Sequence, residues 1–118
     1  MSPRQRNAAT PGHQMFQDGL ALFHQGKTDE LIDRYYKADA VLITASRTIR
    51  GHEGLKPHFR ALASMLGKFE LLSLDSFTDT DNAILIEKTI RTAGGDARVY
   101  DAFVFEEWKI SHHFTGVR

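Results

Sequence analysis

The feature that most constrains this chain is the stretch "VYDAFVFEEWKISHHFTGV", Val99 to Val117, which reads as two strands joined by a tight turn. Side chains on a strand alternate between its faces, so Val99, Asp101, Phe103 and Phe105 share one face and Tyr100, Ala102 and Val104 the other. On the second strand Ser111, His113 and Thr115 oppose Ile110, His112 and Phe114. Asp101 therefore lies among apolar neighbours, where a carboxylate is costly unless it is paired or used. His112 and His113 point opposite ways, which argues against a two-histidine metal site built from this pair.

More strands precede it. "KFELLSLDSFTD" is followed by Asp81-Asn82 as a turn, then "AILIEKTIRT", then Gly94-Gly95-Asp96 as a hairpin turn. The inward parity of the middle strand stays open: Ile84, Ile86 and Ile90 compete with Glu87 and Thr89 for the buried side. The first half is mostly helical. Thr10-Pro11-Gly12 makes a helix start, Phe16, Leu20 and Phe23 form a stripe, and Gly26 ends it. Thr28 is expected to cap a second helix that buries Leu31, Ile32, Tyr35 and Tyr36, with Tyr36 at its end. "AVLIT", Ala40 to Thr44, is a strand. "IRGHEGLKPHF" opens a third helix, expected to become regular after Gly54 because Pro57 is tolerated only near a first turn. Runs of helices and then strands argue an α+β fold.

At 118 residues the chain suits one domain, read as a loose arm over residues 1–10 and a single domain over 11–118. Fifteen basic and fifteen acidic side chains balance, so nothing in the charge argues for nucleic acid or an acidic membrane. There is no cysteine, hence no disulfide or thiolate chemistry, and a cytoplasmic location is the expectation. No apolar run reaches the roughly 20 residues of a membrane span. Phosphate-loop, nucleophile-elbow and zinc-protease motifs do not occur.

"GKTDELIDRYYKADAVLI", "IRGHEGLKPHF" and "VYDAFVFEEWKISHHFTGV" together resemble the nuclear transport factor 2-like superfamily, which includes ketosteroid isomerase and the SnoaL-like cyclases. The resemblance spans roughly residues 12 to 117. It implies a cone-shaped α+β barrel, three helices packed on a strongly bent, mainly antiparallel sheet, also called cystatin-like. It also implies an apolar pocket in the mouth of the cone and a homodimer through the sheet.

The fold hosts many chemistries, so the site must decide. In similarity to the isomerase, Asp101 matches the strand acid that stabilises an oxyanion. An apolar pocket would raise its pKa and keep it protonated as a donor, as the resemblance to the isomerase acid implies. The isomerase's general base falls at Thr44, which cannot abstract a carbon-bound proton, and its first-helix tyrosine falls near Leu20. The SnoaL-like histidine–aspartate pair falls at His113 and Thr115, with the acid lost. Asp101 and His113 are thus the candidate acid–base pair, with Tyr36, Thr44, His58, Phe103 and Thr115 as candidate pocket residues. No metal or other cofactor is implied. The expected function is an apolar pocket for a small oxygenated hydrophobic molecule, with isomerase, cyclase or dehydratase chemistry through Asp101 and His113. The alternative is a non-catalytic ligand-binding or dimerisation module. Trp108, where a turn glycine is usual, is expected to be exposed or to pack on the arm or a partner subunit.

Overall fold

Gly26 shows how the first helix ends. Its φ is +74°, and the amides of Gly26 and Lys27 donate back to the carbonyls of Phe23 and Leu22 at 3.1 and 2.9 Å. That reversal closes the helix and turns the chain into the next one. The computed structural model describes residues 11–67 and 69–118, so the expected arm and the Thr10 cap lie outside the described residues. Its elements are α1 (Pro11–His24), α2 (Thr28–Tyr35), β1 (Tyr36–Ile43), β2 (Thr48–Arg50), α3 (Gly51–Leu66), β3 (Glu70–Asp79), β4 (Ala83–Thr92), β5 (Gly95–Glu106) and β6 (Lys109–Val117).

The sheet order is β2-β1-β6-β5-β4-β3. All neighbours run antiparallel except β1 and β6, which are parallel. Register shifts interrupt the β3–β4, β5–β6 and β1–β6 pairings. Such bulges bend strands and raise their twist, and the sheet curves around the three helices into a cone.

Tyr36 closes α2 from the C-cap position, its amide donating to the Ile32 carbonyl, and also begins β1, where its side chain faces the core. Two local expectations are corrected. Lys27, not Thr28, holds the cap position of α2, without a side-chain bond; Thr28 is the first helical residue and is buried. The helix α3 starts at Gly51 and carries Pro57 inside it. Pro57 lacks one amide, but it sits between Leu55 and Phe59, which are 0% and 6% exposed. Burying two such side chains stabilises by about 3–6 kcal/mol, enough to hold the helix through the defect. The short strand β2 was not foreseen.

The main core joins Leu22, Leu31, Ile32, Leu42, Leu55, Phe59 and Ile110 between the helices and the β1–β6 side of the sheet. On β4, Ile84, Ile86 and Ile90 are buried, so the even-numbered residues face inward. Glu87 therefore points to the other face, where it pairs with Arg118. Among the described residues no helix is long and apolar enough to cross a membrane.

Candidate functional site

The strand register builds a polar line across the concave face. Phe103 on β5 and Leu42 on β1 flank His113 on β6, while Asp101 lies opposite Thr115 on one side and Ile86 on the other. Inward parity on β4 then brings Lys88, two residues on from Ile86, toward Asp101. The result is a hydrogen-bonded chain. Tyr36 Oη lies 2.9 Å from His113 Nδ1, His113 Nε2 lies 2.7 Å from Asp101 Oδ1, and Lys88 Nζ lies 3.1 Å from Asp101 Oδ2.

The electrostatics give the chain a direction. Burial pushes Asp101 up, but the Lys88 ammonium and the hydrogen bond from His113 outweigh it, holding the carboxyl well below its usual range. Asp101 is thus an anion that only accepts. Burial, then the Asp101 charge, pushes the Tyr36 hydroxyl well above its usual value of 10.0, so it stays a donor. His113 satisfies both neighbours when Nε2–H donates to Asp101 and Nδ1 accepts from Tyr36. Its ring is clamped as well, stacked on Phe103 at 4.2 Å and near Phe59 at 6.3 Å between centroids.

This corrects the expected protonated Asp101. A neutral acid needs an apolar site without a cation, and Lys88 supplies one. The lysine was legible only through parity: "AILIEKTIRT" places it on the isoleucine face once that face is taken as inward.

The other candidates divide. Phe103 and Thr115 adjoin the chain; the Thr115 hydroxyl donates to the Tyr100 carbonyl at 3.2 Å. Thr44 instead serves the β1–β2 turn, where its Oγ1 accepts the Arg47 amide at 3.1 Å and contacts the Arg47 carbonyl at 3.2 Å. His58 stands edge-on to Phe59 at 5.6 Å, outside the hydrogen-bonded chain. Burial, then the charge of Arg47, lowers its pKa, which favours a neutral ring. His112 faces outward, against Ser111 Oγ at 3.0 Å.

Tyr36, Asp101 and His113 are only 3%, 8% and 5% exposed. One cavity, of about 680 Å³, lies outside β1 and β6 beside the start of α3, among Lys37, Asp39, Arg50, His52 and His112. Another, of about 700 Å³, opens between α1 and the ends of the β3–β4 and β5–β6 hairpins. Neither is lined by Asp101 or His113. Among the described residues no group of three or more histidine, aspartate or glutamate side chains could hold a metal ion.

No family model matches the chain, and no curated protein matches it. Solved structures do. A nuclear transport factor 2-like protein of unknown function from Burkholderia pseudomallei superposes with a TM-score of 0.76 at 13% identity, covering 93% of this chain and 92% of that one. A SnoaL-like family protein from Agrobacterium tumefaciens gives 0.72 at 12% identity over 89% and 95%. A cystatin fold protein from Novosphingobium aromaticivorans gives 0.72 at 13% identity over 87% and 95%. The chain has the nuclear transport factor 2-like fold, as the resemblance implied.

Proposed function

We propose that the chain is a small-molecule-binding module that takes an apolar molecule carrying an oxygen function on its concave face. The observation that supports it is the charged chain Lys88–Asp101–His113–Tyr36. Its Lys88–Asp101 end is the more open one: those side chains are 16% and 12% exposed, against 7% for His113. A carbonyl or hydroxyl oxygen arriving there would accept from the Lys88 ammonium, while Phe16, whose ring lies 5.6 Å from Lys88 Nζ, supplies apolar wall. Binding is favoured over turnover because both ring nitrogens of His113 are engaged and the base position holds Thr44.

A second reading keeps acid–base turnover: isomerisation, cyclisation or dehydration. The Asp101–His113 contact favours it, since a carboxylate bound at Nε2–H fixes the tautomer that leaves Nδ1 as the acceptor. It requires a substrate to replace Tyr36 at Nδ1.

Both are tested by amide NMR spectra recorded with a panel of cyclic and aromatic ketones. Binding predicts saturable shifts around Phe16, Lys88 and Asp101 that weaken in Lys88→Met. No shifts, or shifts indifferent to that substitution, would reject the assignment. Ketone consumption that disappears in both Asp101→Asn and His113→Gln would establish the second reading.

The same reading includes a homodimer through the outer sheet face. Leu85 and Phe114 are 44% and 39% exposed there and flank Ala102 in register. Light scattering on the eluted protein should give twice the chain mass, and Phe114→Glu should shift it to the monomer.

A further inference from the structure

The turn joining β5 and β6 consists of Glu107 and Trp108, with φ of +52° and +67°. Two left-handed residues suit the twist of a two-residue hairpin, but such turns favour Asn-Gly, and a bulky side chain there is strained. Strain kept at a turn invites the question of what the side chain does. Trp108 is 75% exposed and leans over the cavity of about 700 Å³ at this end of the sheet.

The cavity's chemistry is one-sided. Tyr35, Phe105 and Trp108 bring three aromatic rings to it, Met15 adds a thioether, and its charged lining residues are Asp79 and Asp81. Among the described residues no lysine, arginine or histidine lines it. Among the described residues neither carboxylate has an ion pair or hydrogen-bond partner. The wall is also held in place. The Phe105 amide donates to the Asn82 carbonyl at 2.8 Å, tying the acidic turn to the aromatic strand, and the Tyr35 hydroxyl donates to Asp18.

We propose that this cavity is a binding site for a small organic cation, an alkylated or quaternary ammonium. Ring faces attract a cation through their quadrupoles, and two carboxylates add field at the rim. An alkylated ammonium sheds water readily and matches the Met15 and Ile84 wall; a bare metal ion would need more oxygen ligands than two carboxylates. The site is separate from the Lys88–Asp101 chain and does not depend on its role.

Trp108 is the single tryptophan of the chain, so its fluorescence reports on this site alone. The protein is titrated with choline and, in parallel, with its neutral isostere 3,3-dimethylbutan-1-ol. The expected result is saturable quenching by choline, about tenfold weaker binding of the neutral isostere, and about tenfold weaker choline binding in Asp79→Asn/Asp81→Asn. Equal affinity for the two probes, choline binding indifferent to the double substitution, or no saturable change would overturn the proposal. Trp108→Gly, followed through the choline methyl resonance, should also lose binding while remaining folded.

Discussion

Lys88 Nζ stands 3.1 Å from Asp101 Oδ2, and this pair decides the charge of the whole buried chain. A carboxyl whose folded pKa lies below its unfolded value stabilises the fold above that value and loses the contribution as pH falls through the folded one. Asp101 is lowered from 3.8, so its contribution is complete above about pH 4 and declines only in stronger acid. Carboxyl-carbon NMR should show Asp101 still ionised when exposed aspartates are half protonated. Lys88→Met should move its titration upward, because burial then acts with less opposition.

Breaking the pair from the other side is more damaging. Asp101→Asn removes the anion and leaves Lys88 and the His113 Nε2–H without it. Stripping one partner from a buried pair costs about 3–5 kcal/mol, and the figure here falls toward the lower end because Lys88 reaches solvent. Urea unfolding should show the loss. The double variant Asp101→Asn/Lys88→Met should recover part of it, a coupling that independent sites would not show.

Tyr36→Phe probes the far end. The hydroxyl is held 2.9 Å from His113 Nδ1 in the core, so its removal leaves a buried acceptor unpaired at about 1–2 kcal/mol. Nitrogen NMR of the histidine ring should show Nδ1 losing its donor while Nε2–H persists. A ring that switches tautomer instead would contradict the direction assigned to the chain.

How much of this was legible in the sequence differs between elements. Alternation in Val99–Val117 placed Asp101 and His113 on neighbouring strands and separated His112 from His113, because a two-residue period leaves no freedom once a strand is assigned. Lys88 was hidden because isoleucines and polar residues offered two inward parities on β4, and only packing against α1 chooses. Thr44 looked like a pocket residue by alignment with a relative, yet its hydroxyl is occupied by the β2 turn, a strand too short to read. The charge of Asp101 is hidden for the same reason as Lys88: desolvation is visible in a sequence, a cross-strand cation is not.

Trp108 should be dispensable for the fold. At φ +67° its Cβ is strained, and with 75% exposure little burial is lost on its removal. Trp108→Gly is expected to stabilise the chain by about 1 kcal/mol, as glycine adopts that backbone without the penalty. Thermal unfolding of the variant checks this; a clear loss of stability would mean that the ring packs on a surface and is not held free for a ligand.

Gly116 is the opposite case, a small residue required by a neighbour. A Cβ built on it would stand 2.7 Å from the Tyr100 ring, which covers it across the β5–β6 pair. Gly116→Ala must push the ring aside and should cost about 1–3 kcal/mol. Removing the ring removes the clash, so Gly116→Ala in a Tyr100→Ala background should cost far less, the lower chain entropy of alanine offsetting part of what remains. Chemical denaturation of the four proteins of this cycle measures the difference. Equal costs in both backgrounds would show that the constraint lies in the β6 backbone itself and not in the tyrosine.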